Sequence, residues 1–336
     1  METQIPSEIR RDPLTNEWVI VAQNRSKRPK GILKNKIRKH SPIKKCPFED
    51  PVATGHGEPL MIIKPKIRGD WSLMVIKNKY PALFPTDFKS YKIGDYKILK
   101  GSGHCEVVLT RDHKKSLYQL GKNAVSEMLL AFLQRSIALS KEKTTEYVMC
   151  FINYGPTAGA SMTHPHGQII SLPIIPPDVS RIMEKTKWFY NQNKKCAYCE
   201  MLKWEKKEKE RIVFENDKFI TIAPFISRNA YELAIYPKKH QSDFRSLKMP
   251  DLNQLAEVLY DAISRLYQEL SDPDYNIMIQ TVPTNDSHKY YHWHIVIYPR
   301  TELPAGFELG TGMEICGLDP TEAAFRLKQW KNKKIK

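Results

Sequence analysis

The sequence predicts an α+β fold that consists of two copies of one unit, each an antiparallel sheet with helices on one face. A length of 336 residues suffices for two domains of ~150 residues each, and a hydrophobic content of 41 % can fill their cores. Four landmarks of the first half recur 127 or 128 residues later, which indicates an internal duplication. The recurring pairs are His113 and His240, Tyr147 and Tyr275, His164 and His292, and His166 and His294.

Both halves show the same order of predicted elements. Short apolar runs predict strands, and longer segments with apolar residues at helical spacing predict helices. The predicted strands are 105–109, 147–152, 231–235 and 275–279, and the predicted helices are 117–140 and 252–270. In each half a His-x-His triplet comes after the second strand.

The duplication divides the chain into predicted domains at 1–177 and 196–336, joined by a linker at 178–195. Six cysteines are too few for a disulfide scaffold, and the start of the sequence shows no apolar leader. The longest uncharged stretch, 147–177, contains prolines, glycines and histidines that are not typical of a bilayer span. We therefore expect a cytoplasmic protein that is not embedded in a membrane.

The net charge of +16 comes almost entirely from two short segments. Residues 25–45 carry ten Lys or Arg and residues 327–336 carry five Lys, and neither segment contains an acidic residue. The tail is expected to be solvated. For the N-terminal segment, phosphate binding and simple solubility both remain open.

The His-x-His triplets predict metal ligands. Residues i and i+2 of a strand point to the same face, so each triplet presents two imidazoles side by side. Two thiolates and two imidazoles form the tetrahedral donor set that zinc prefers. The second half supplies this set with Cys196, Cys199, His240 and His292, and the first half supplies Cys46, Glu49, His113 and His164. Because Glu49 replaces a thiol, a weaker first site and an empty one both remain open, as does a role of these residues in the core.

The triplets also suit nucleophilic catalysis, because imidazole has a usual pKa of ~6.5 and is largely neutral at a pH above that value. An imidazole nitrogen can attack phosphorus if nearby donors hold the phosphate oxygens. Small residues at 159–161 allow a backbone to approach phosphate, and Gln168 follows His166 on the same face. His294 is followed by the apolar run 295–297 instead. We therefore predict that His166 is the nucleophile and that His294 is its degenerate copy.

Five separated segments resemble one known family. The run His164-Pro165-His166-Gly167-Gln168, preceded by Asn153 and 159–161, resembles the active-site motif of the galactose-1-phosphate uridylyltransferases, the transferase branch of the histidine-triad superfamily. The other matching segments are 11–19 together with 24–29, 46–48, 78–83 and 312–315. The resemblance covers most of the chain.

This resemblance implies a tandem histidine-triad fold and a ping-pong reaction. A nucleoside monophosphate, expected to be UMP, would pass from a nucleotide sugar to His166 and then to a hexose-1-phosphate. The resemblance also implies zinc as cofactor and a homodimer. The residues that fall on positions used around the nucleotide and phosphates are Arg25, Arg28, Asn78, Asn153, Ser161 and Gln168.

Two departures from the family pattern concern the metal and the acceptor. Glu49 stands where the family usually has its second zinc cysteine, and 306–312 lacks the lysine and the later glutamine that long uridylyltransferases place near the hexose. The C-terminal segment resembles short microbial and plant relatives, some of which are phosphorylases of adenine nucleotides, so orthophosphate is an alternative acceptor. The remaining alternative is a zinc-stabilised nucleic-acid-binding protein. It is disfavoured because no aromatic residue is interleaved with the basic ones at 25–45, and we expect Lys34 to Lys45 to be largely solvated.

Overall fold

The computed structural model describes residues 6–13, 15–27, 38, 40–65, 70–87, 89–285 and 288–330. Within these ranges the chain forms 15 β-strands and seven α-helices, numbered here in chain order. The strands are β1 Glu8–Arg11, β2 Trp18–Val21, β3 Met61–Ile63, β4 Leu73–Lys77, β5 Ser90–Ile93, β6 Tyr96–Leu99, β7 His104–Thr110, β8 Tyr147–Tyr154, β9 His166–Leu172, β10 Ile212–Glu215, β11 Phe219–Ile222, β12 Leu233–Pro237, β13 Tyr275–Gln280, β14 His294–Pro299 and β15 Glu314–Cys316. The helices are α1 Leu117–Leu120, α2 Lys122–Leu139, α3 Pro177–Asn193, α4 Ala197–Glu208, α5 Met249–Leu270, α6 Gly306–Thr311 and α7 Pro320–Gln329.

A ten-stranded antiparallel sheet forms the centre of the molecule. Its strand order is β10, β11, β12, β14, β13, β8, β9, β7, β4 and β3. The first half of the chain supplies five neighbouring strands and the second half supplies the other five, and the two sets meet where β13 pairs with β8. From one outer edge inward the strands are β10, β11, β12, β14 and β13, and from the other they are β3, β4, β7, β9 and β8. In both sets, therefore, the last two strands along the chain exchange places in the sheet. The two predicted domains therefore share one continuous sheet.

Helices α2 and α5 pack against one face of this sheet. The buried residues of α5 include Leu252, Leu255, Leu259, Ile263 and Leu266, which recur every three or four positions and so form one apolar stripe. Full burial of each such side chain stabilises the fold by about 1.5–3 kcal/mol. The predicted α+β class, with antiparallel strands and helices packed on the sheet, is confirmed. The expectation of helices on one face does not hold over the second half, where α3 and α4 cover the other face.

The predicted helix 117–140 is divided into α1 and α2 at Gly121. The φ angle of Gly121 is 86°, a backbone conformation that strongly favours glycine. Ser116 and Gln119 cap the N-terminus of α1 with a reciprocal pair of hydrogen bonds. The periodicity of apolar residues continues through the break, which is why the sequence predicts a single helix there.

Helices α3 and α4 cover the other face of the sheet over the second half. Val179 and Met183 of α3 and Tyr198 and Leu202 of α4 are buried in a cluster with Ile220 and other residues of that sheet face. The predicted linker at 178–195 is therefore mostly a helix. It begins at Pro177, whose fixed φ suits the first helical position.

The two ends of the described chain meet in a separate three-stranded sheet. Its order is β1, β2 and β15, and the C-terminal β15 pairs parallel to the N-terminal β2. The guanidinium of Arg10 lies 2.6 Å from the carboxylate of Asp319, so an ion pair also joins the ends. Among the helices of the described ranges, we found none with the length and apolar character that a membrane crossing requires.

Candidate active site and metal centres

His166 is the first residue of β9, and its imidazole lies on the sheet face opposite α2. It pairs with Leu109 of β7, and Gln168 pairs with Val107 of β7 and Phe151 of β8. Since side chains alternate along a strand, His166 and Gln168 project from the same face. The intervening Gly167 faces α2, where a Cβ atom would lie 2.7 Å from the ring of Phe132. Only glycine therefore allows α2 to approach β9 this closely.

The position of His164 differs from the sequence-based expectation. It precedes β9 instead of lying within it, and His292 likewise precedes β14. The Pro165 carbonyl accepts a hydrogen bond of 3.0 Å from the Thr110 hydroxyl. Both imidazoles of the triplet are nevertheless buried.

One hydrogen bond determines which nitrogen of His166 carries the proton. The Nδ1 atom lies 2.8 Å from the carbonyl oxygen of His164. A carbonyl oxygen can only accept, so Nδ1 is the donor and the lone pair of the neutral ring is on Nε2. Burial lowers the pKa of His166, although this same hydrogen bond opposes the shift. The imidazole is therefore neutral near pH 7, the form required of a nucleophile.

A cavity of about 450 Å³ lies beside the loop at 155–165. Asn153, Ser161 and His164 line it, so the structure brings two predicted nucleotide-binding residues to the same cavity as the first histidine of the triplet. The loop turns at Gly155 and Gly159, which have φ angles of 89° and 82°. Such angles favour glycine, as the small residues at 159–161 suggested.

The other predicted nucleotide-binding residues lie on other segments of the first half or outside the described ranges. Arg25 is half-buried in a short 3₁₀ helix, Gln23–Lys27. Asn78 follows β4, where its backbone N–H donates to the carbonyl of Cys105 at 2.8 Å. Its side-chain oxygen accepts the N–H of Tyr80 at 3.0 Å. Arg28 lies outside the described residues.

The first predicted metal cluster is assembled in three dimensions. Ligand atoms of Cys46, Glu49, His113 and His164 all lie within 4.8 Å of one another. Both histidines place Nε2 on a backbone carbonyl, His113 on Ser41 at 2.8 Å and His164 on Thr110 at 2.7 Å. Their Nδ1 atoms therefore face the cluster as acceptors, the arrangement found around metal-binding imidazoles. The residues present fit a divalent metal with one thiolate, one carboxylate and two imidazole ligands.

Glu49 also has a partner that a cysteine would lack. One carboxylate oxygen lies 3.0 Å from Nδ1 of His113, and the other accepts a 2.9 Å hydrogen bond from Arg111. Burial raises the pKa of Glu49, but the hydrogen bond from Arg111 and the proximity of His164 outweigh it, so the pKa is lowered. The ionised carboxylate thus joins the two histidines to an arginine.

The second predicted cluster has the same construction with two thiols. Cys196 precedes α4 and Cys199 lies in its first turn, which puts both sulfur atoms on one side of the helix. The sulfur of Cys199 lies 3.4 Å from Nδ1 of His240 and 3.6 Å from Nδ1 of His292. Hydrogen bonds from Cys199 and the two imidazoles lower the pKa of Cys196. All four ligand atoms lie within 4.8 Å of one another, and this donor set fits zinc.

The space around His294 is filled with aromatic rings. Tyr236 stacks on its imidazole with ring centroids 4.9 Å apart, and Tyr198 packs at 5.3 Å. Burial lowers the pKa of His294 to about 4. His294 keeps the hydrogen bond to the preceding His292 carbonyl but is packed into an aromatic core, which supports its interpretation as the degenerate copy.

The expectation that Lys34 to Lys45 are largely solvated is wrong for Arg38. Its side chain is 12 % exposed and lies 2.9 Å from both Asp272 and Asp274. Its guanidinium lies 4.1 Å from the centre of the Tyr154 ring. Lys44 and Lys45 are exposed as expected. The sequence does show two acidic residues, Asp272 and Asp274, just before β13. It does not indicate which of the basic residues at 25–45 pairs with them.

Comparisons with known proteins match both halves of the chain. A family model described as galactose-1-phosphate uridyl transferase, N-terminal domain, matches residues 1–176, and one described as a domain of unknown function (DUF4921) matches residues 110–333. The chain is 33 % identical to an ADP-glucose phosphorylase from Arabidopsis thaliana, covering 96 % of this chain and 93 % of the relative. It is 30 % identical to a galactose-1-phosphate uridylyltransferase from Thermotoga maritima, covering 96 % and 98 %.

Among solved structures, the chain is similar to a crystal structure of an ADP-glucose phosphorylase from Arabidopsis thaliana with bound ADP-glucose. The TM-score is 0.81 and the identity 29 %, over 97 % of this chain and 100 % of that chain. The likeness therefore extends over the whole sheet and both sets of helices, and it is not restricted to the active-site motif.

Proposed function

The chain belongs to the galactose-1-phosphate uridylyltransferase family of nucleotidyltransferases, and on that basis we propose that His166 transfers a nucleoside monophosphate between a nucleotide sugar and a phosphate-bearing acceptor. The observation that carries the proposal is the hydrogen bond from Nδ1 of His166 to the His164 carbonyl. It leaves Nε2 with a lone pair on the sheet face shared with Gln168.

The reaction has two steps that use the same nitrogen. In the first, Nε2 of His166 forms a bond to the α-phosphorus of the nucleotide sugar, and the bond from that phosphorus to the bridging oxygen breaks, releasing the sugar-1-phosphate. In the second, an oxygen of the acceptor phosphate bonds to the same phosphorus, and the N–P bond breaks to return the electron pair to Nε2. The imidazole begins and ends neutral.

The residues around His166 would stabilise the transferred phosphate. The amide of Gln168 and the hydroxyl of Ser161 can donate hydrogen bonds to its oxygens, and Arg25 and Arg28 would bind nucleotide phosphates. Asn78 and Asn153 complete the proposed nucleotide site.

The preferred acceptor is a hexose-1-phosphate and the preferred nucleotide is UMP, as the Thermotoga maritima relative suggests by its name. A panel of UDP-glucose and ADP-glucose against galactose-1-phosphate and orthophosphate tests this. The expected result is formation of UDP-galactose and glucose-1-phosphate from UDP-glucose and galactose-1-phosphate. Donor consumption that no acceptor accelerates would contradict the transferase assignment.

A nucleotide-sugar phosphorylase is the second candidate. It is favoured by the 33 % identity to a relative named ADP-glucose phosphorylase and by the absence of lysine and glutamine from 306–312. With orthophosphate as acceptor, the products would be a nucleoside diphosphate and a sugar-1-phosphate. Formation of ADP from ADP-glucose and orthophosphate in the same panel would select this candidate.

Both candidates include zinc in the second cluster, a homodimer and a cytoplasmic location. Zinc would be held by Cys196, Cys199, His240 and His292, where it would fix the start of α4 against β12 and the turn before β14. Cys46, Glu49, His113 and His164 would hold a metal less tightly, because a harder carboxylate replaces a thiolate.

A further inference from the structure

A buried carboxylate of the second half holds the loop that precedes the catalytic histidine. Asp274 lies directly before β13 and is 3 % exposed. One of its oxygens accepts hydrogen bonds from both the backbone N–H and the hydroxyl of Thr157, at 2.8 and 2.7 Å. Thr157 belongs to the short turn Pro156–Ala158, two residues before the small-residue run at 159–161.

The loop is also shaped to admit this carboxylate. A Cβ atom added at Gly155 would lie 1.9 Å from an oxygen of Asp274, so no larger residue fits while the carboxylate occupies its place. Asn276, two residues after Asp274, donates to the carbonyl of Ala158 at 2.9 Å and to the side chain of Asn153 at 2.7 Å. The second half therefore contacts the loop at both ends of the turn and contacts a predicted nucleotide-binding residue as well.

Arg38, which belongs to the basic N-terminal segment, is the charged partner of Asp274. It donates to the other oxygen of Asp274 at 2.9 Å and lines the cavity that Ser161 and His164 also line. A buried carboxylate needs such a partner, because an unpaired charge away from water is strongly unfavourable. The same contact fixes the rotation of the carboxylate toward Thr157.

We propose that Asp274 is a positioning residue, which sets the loop at 155–161 so that Ser161 meets the phosphate transferred by His166. This proposal rests on the proposed function of His166. In it, the second half, whose own histidine is packed among tyrosines, serves the reaction by holding the phosphate-binding loop of the first half. Asp274 touches no reacting atom and acts through Thr157 and Gly155.

The test compares Asp274→Asn with a buried carboxylate elsewhere. Asp261 in α5 is fully buried and accepts hydrogen bonds from Arg265 at 2.5 and 3.2 Å, so Asp261→Asn controls for a loss of stability alone. The measured quantity is the rate at which saturating nucleotide sugar, without acceptor, labels His166, expressed per folded chain and accompanied by the melting temperature.

We expect both variants to melt at lower temperature, but only Asp274→Asn to label slowly, by on the order of tenfold to 100-fold, as misplaced catalytic groups do. Thr157→Val removes one hydroxyl from the same contact and should slow labelling in the same direction. It should add little in the Asp274→Asn background, because the two side chains act through one contact.

Equal labelling rates in Asp274→Asn and Asp261→Asn would overturn the proposal and leave Asp274 a purely structural residue. If Asp274→Asn does not fold, Thr157→Val decides, and an unchanged labelling rate in that variant would overturn the proposal as well. Absence of label in the unmodified enzyme would instead contradict the proposed function of His166, so the two failures are distinguishable.

Discussion

Nδ1 of His166 donates a hydrogen bond of 2.8 Å to the carbonyl oxygen of His164, and this contact links the proposed nucleophile to a predicted metal ligand. Nε2 of His164 bonds the carbonyl of Thr110 at 2.7 Å, while its Nδ1 faces the metal cluster. A metal bound there would therefore restrain the backbone that orients His166. His292 and His294 repeat the same contact at 3.0 Å, which locates the difference between the two halves in the surroundings of the second imidazole.

The first prediction is a covalent nucleotidyl-histidine. Donor nucleotide sugar alone should add one nucleoside monophosphate per chain at His166, because the first half-reaction needs no acceptor. His166→Asn should abolish both the label and turnover. Intact-mass spectrometry followed by peptide mapping measures the adduct and its position.

His294→Asn is the matched control for that experiment. Since His294 is surrounded by tyrosine rings, its replacement should lower the melting temperature but leave labelling intact. Label that persists in His166→Asn would show that another residue is the nucleophile.

The second prediction concerns metal at the second cluster. Cys196→Ser should reduce the zinc content and the melting temperature together, because metal binding is coupled to folding. Elemental analysis and thermal unfolding with and without a chelator measure the two effects. A purified protein that contains no zinc and does not respond to the chelator would mean that these residues are ordinary core residues.

The third prediction uses the Glu49 difference between the clusters. Glu49→Cys should make the first cluster bind zinc more tightly, because a second thiolate suits this metal better than a carboxylate does. Competition with a chromophoric chelator measures the affinity, and Cys196→Ser in the same background isolates the first cluster. Unchanged affinity would indicate that Glu49 is not a ligand and that its contacts with Arg111 and His113 are purely structural.

The fourth prediction separates the arginines of the N-terminal segment from its lysines. Arg25→Ala should weaken binding of the donor nucleotide sugar by about 1.5–3 kcal/mol, the usual contribution of a hydrogen bond to a charged group. We expect the same effect from Arg28→Ala. Joint neutralisation of Lys36 and Lys39, which lie outside the described residues, should leave the kinetics nearly unchanged. Steady-state KM values for the donor measure both.

Nucleic-acid binding is the competing explanation for this basic segment. Salt-dependent duplex binding that disappears in the Lys36 and Lys39 variant would favour it. Arg38 is excluded from that variant, because its ion pairs with Asp272 and Asp274 are part of the fold.

Most of the central elements could be predicted from local sequence patterns. The central strands and α5 were predictable because each has its own apolar periodicity, and the four repeated landmarks indicated which elements correspond. The pairing of β2 with β15 joins segments about 300 residues apart, and neither strand carries a pattern that identifies its partner. Gly121 interrupts a helix through its backbone angle alone, which hydrophobic periodicity does not reveal.

In the candidate site, too, some features could be predicted from the sequence and others could not. The clustering of the two predicted ligand sets and the shared face of His166 and Gln168 could be predicted, because chemistry restricts residue types and spacing; the roles of His166 and Gln168 remain predictions. Asp274 could not be predicted, because its role depends on contacts with Thr157 and Arg38, which lie 117 and 236 positions away. A buried ion pair between distant segments leaves only two ordinary charged residues in the sequence.

The last prediction concerns the choice between transfer and hydrolysis, which share a histidine nucleophile and differ in what attacks phosphorus second. Gln168 lies on the face of β9 that carries His166. Its amide can hydrogen-bond the phosphate of the intermediate, but it cannot accept a proton from water as a third histidine would. Gln168→His should therefore increase the ratio of free nucleoside monophosphate to transfer product, with some loss of overall rate.

Gln168→Asn is the matched variant, because it keeps an amide and shortens its reach without adding a base. It should slow both reactions and leave their ratio nearly unchanged. The measurement is donor consumption with and without galactose-1-phosphate or orthophosphate, separated by chromatography of the nucleotides. If Gln168→His releases no more nucleoside monophosphate relative to transfer than Gln168→Asn does, the absence of a base at position 168 is not what protects the intermediate from water. Exclusion of water by the bound acceptor would then have to account for any preference for transfer over hydrolysis.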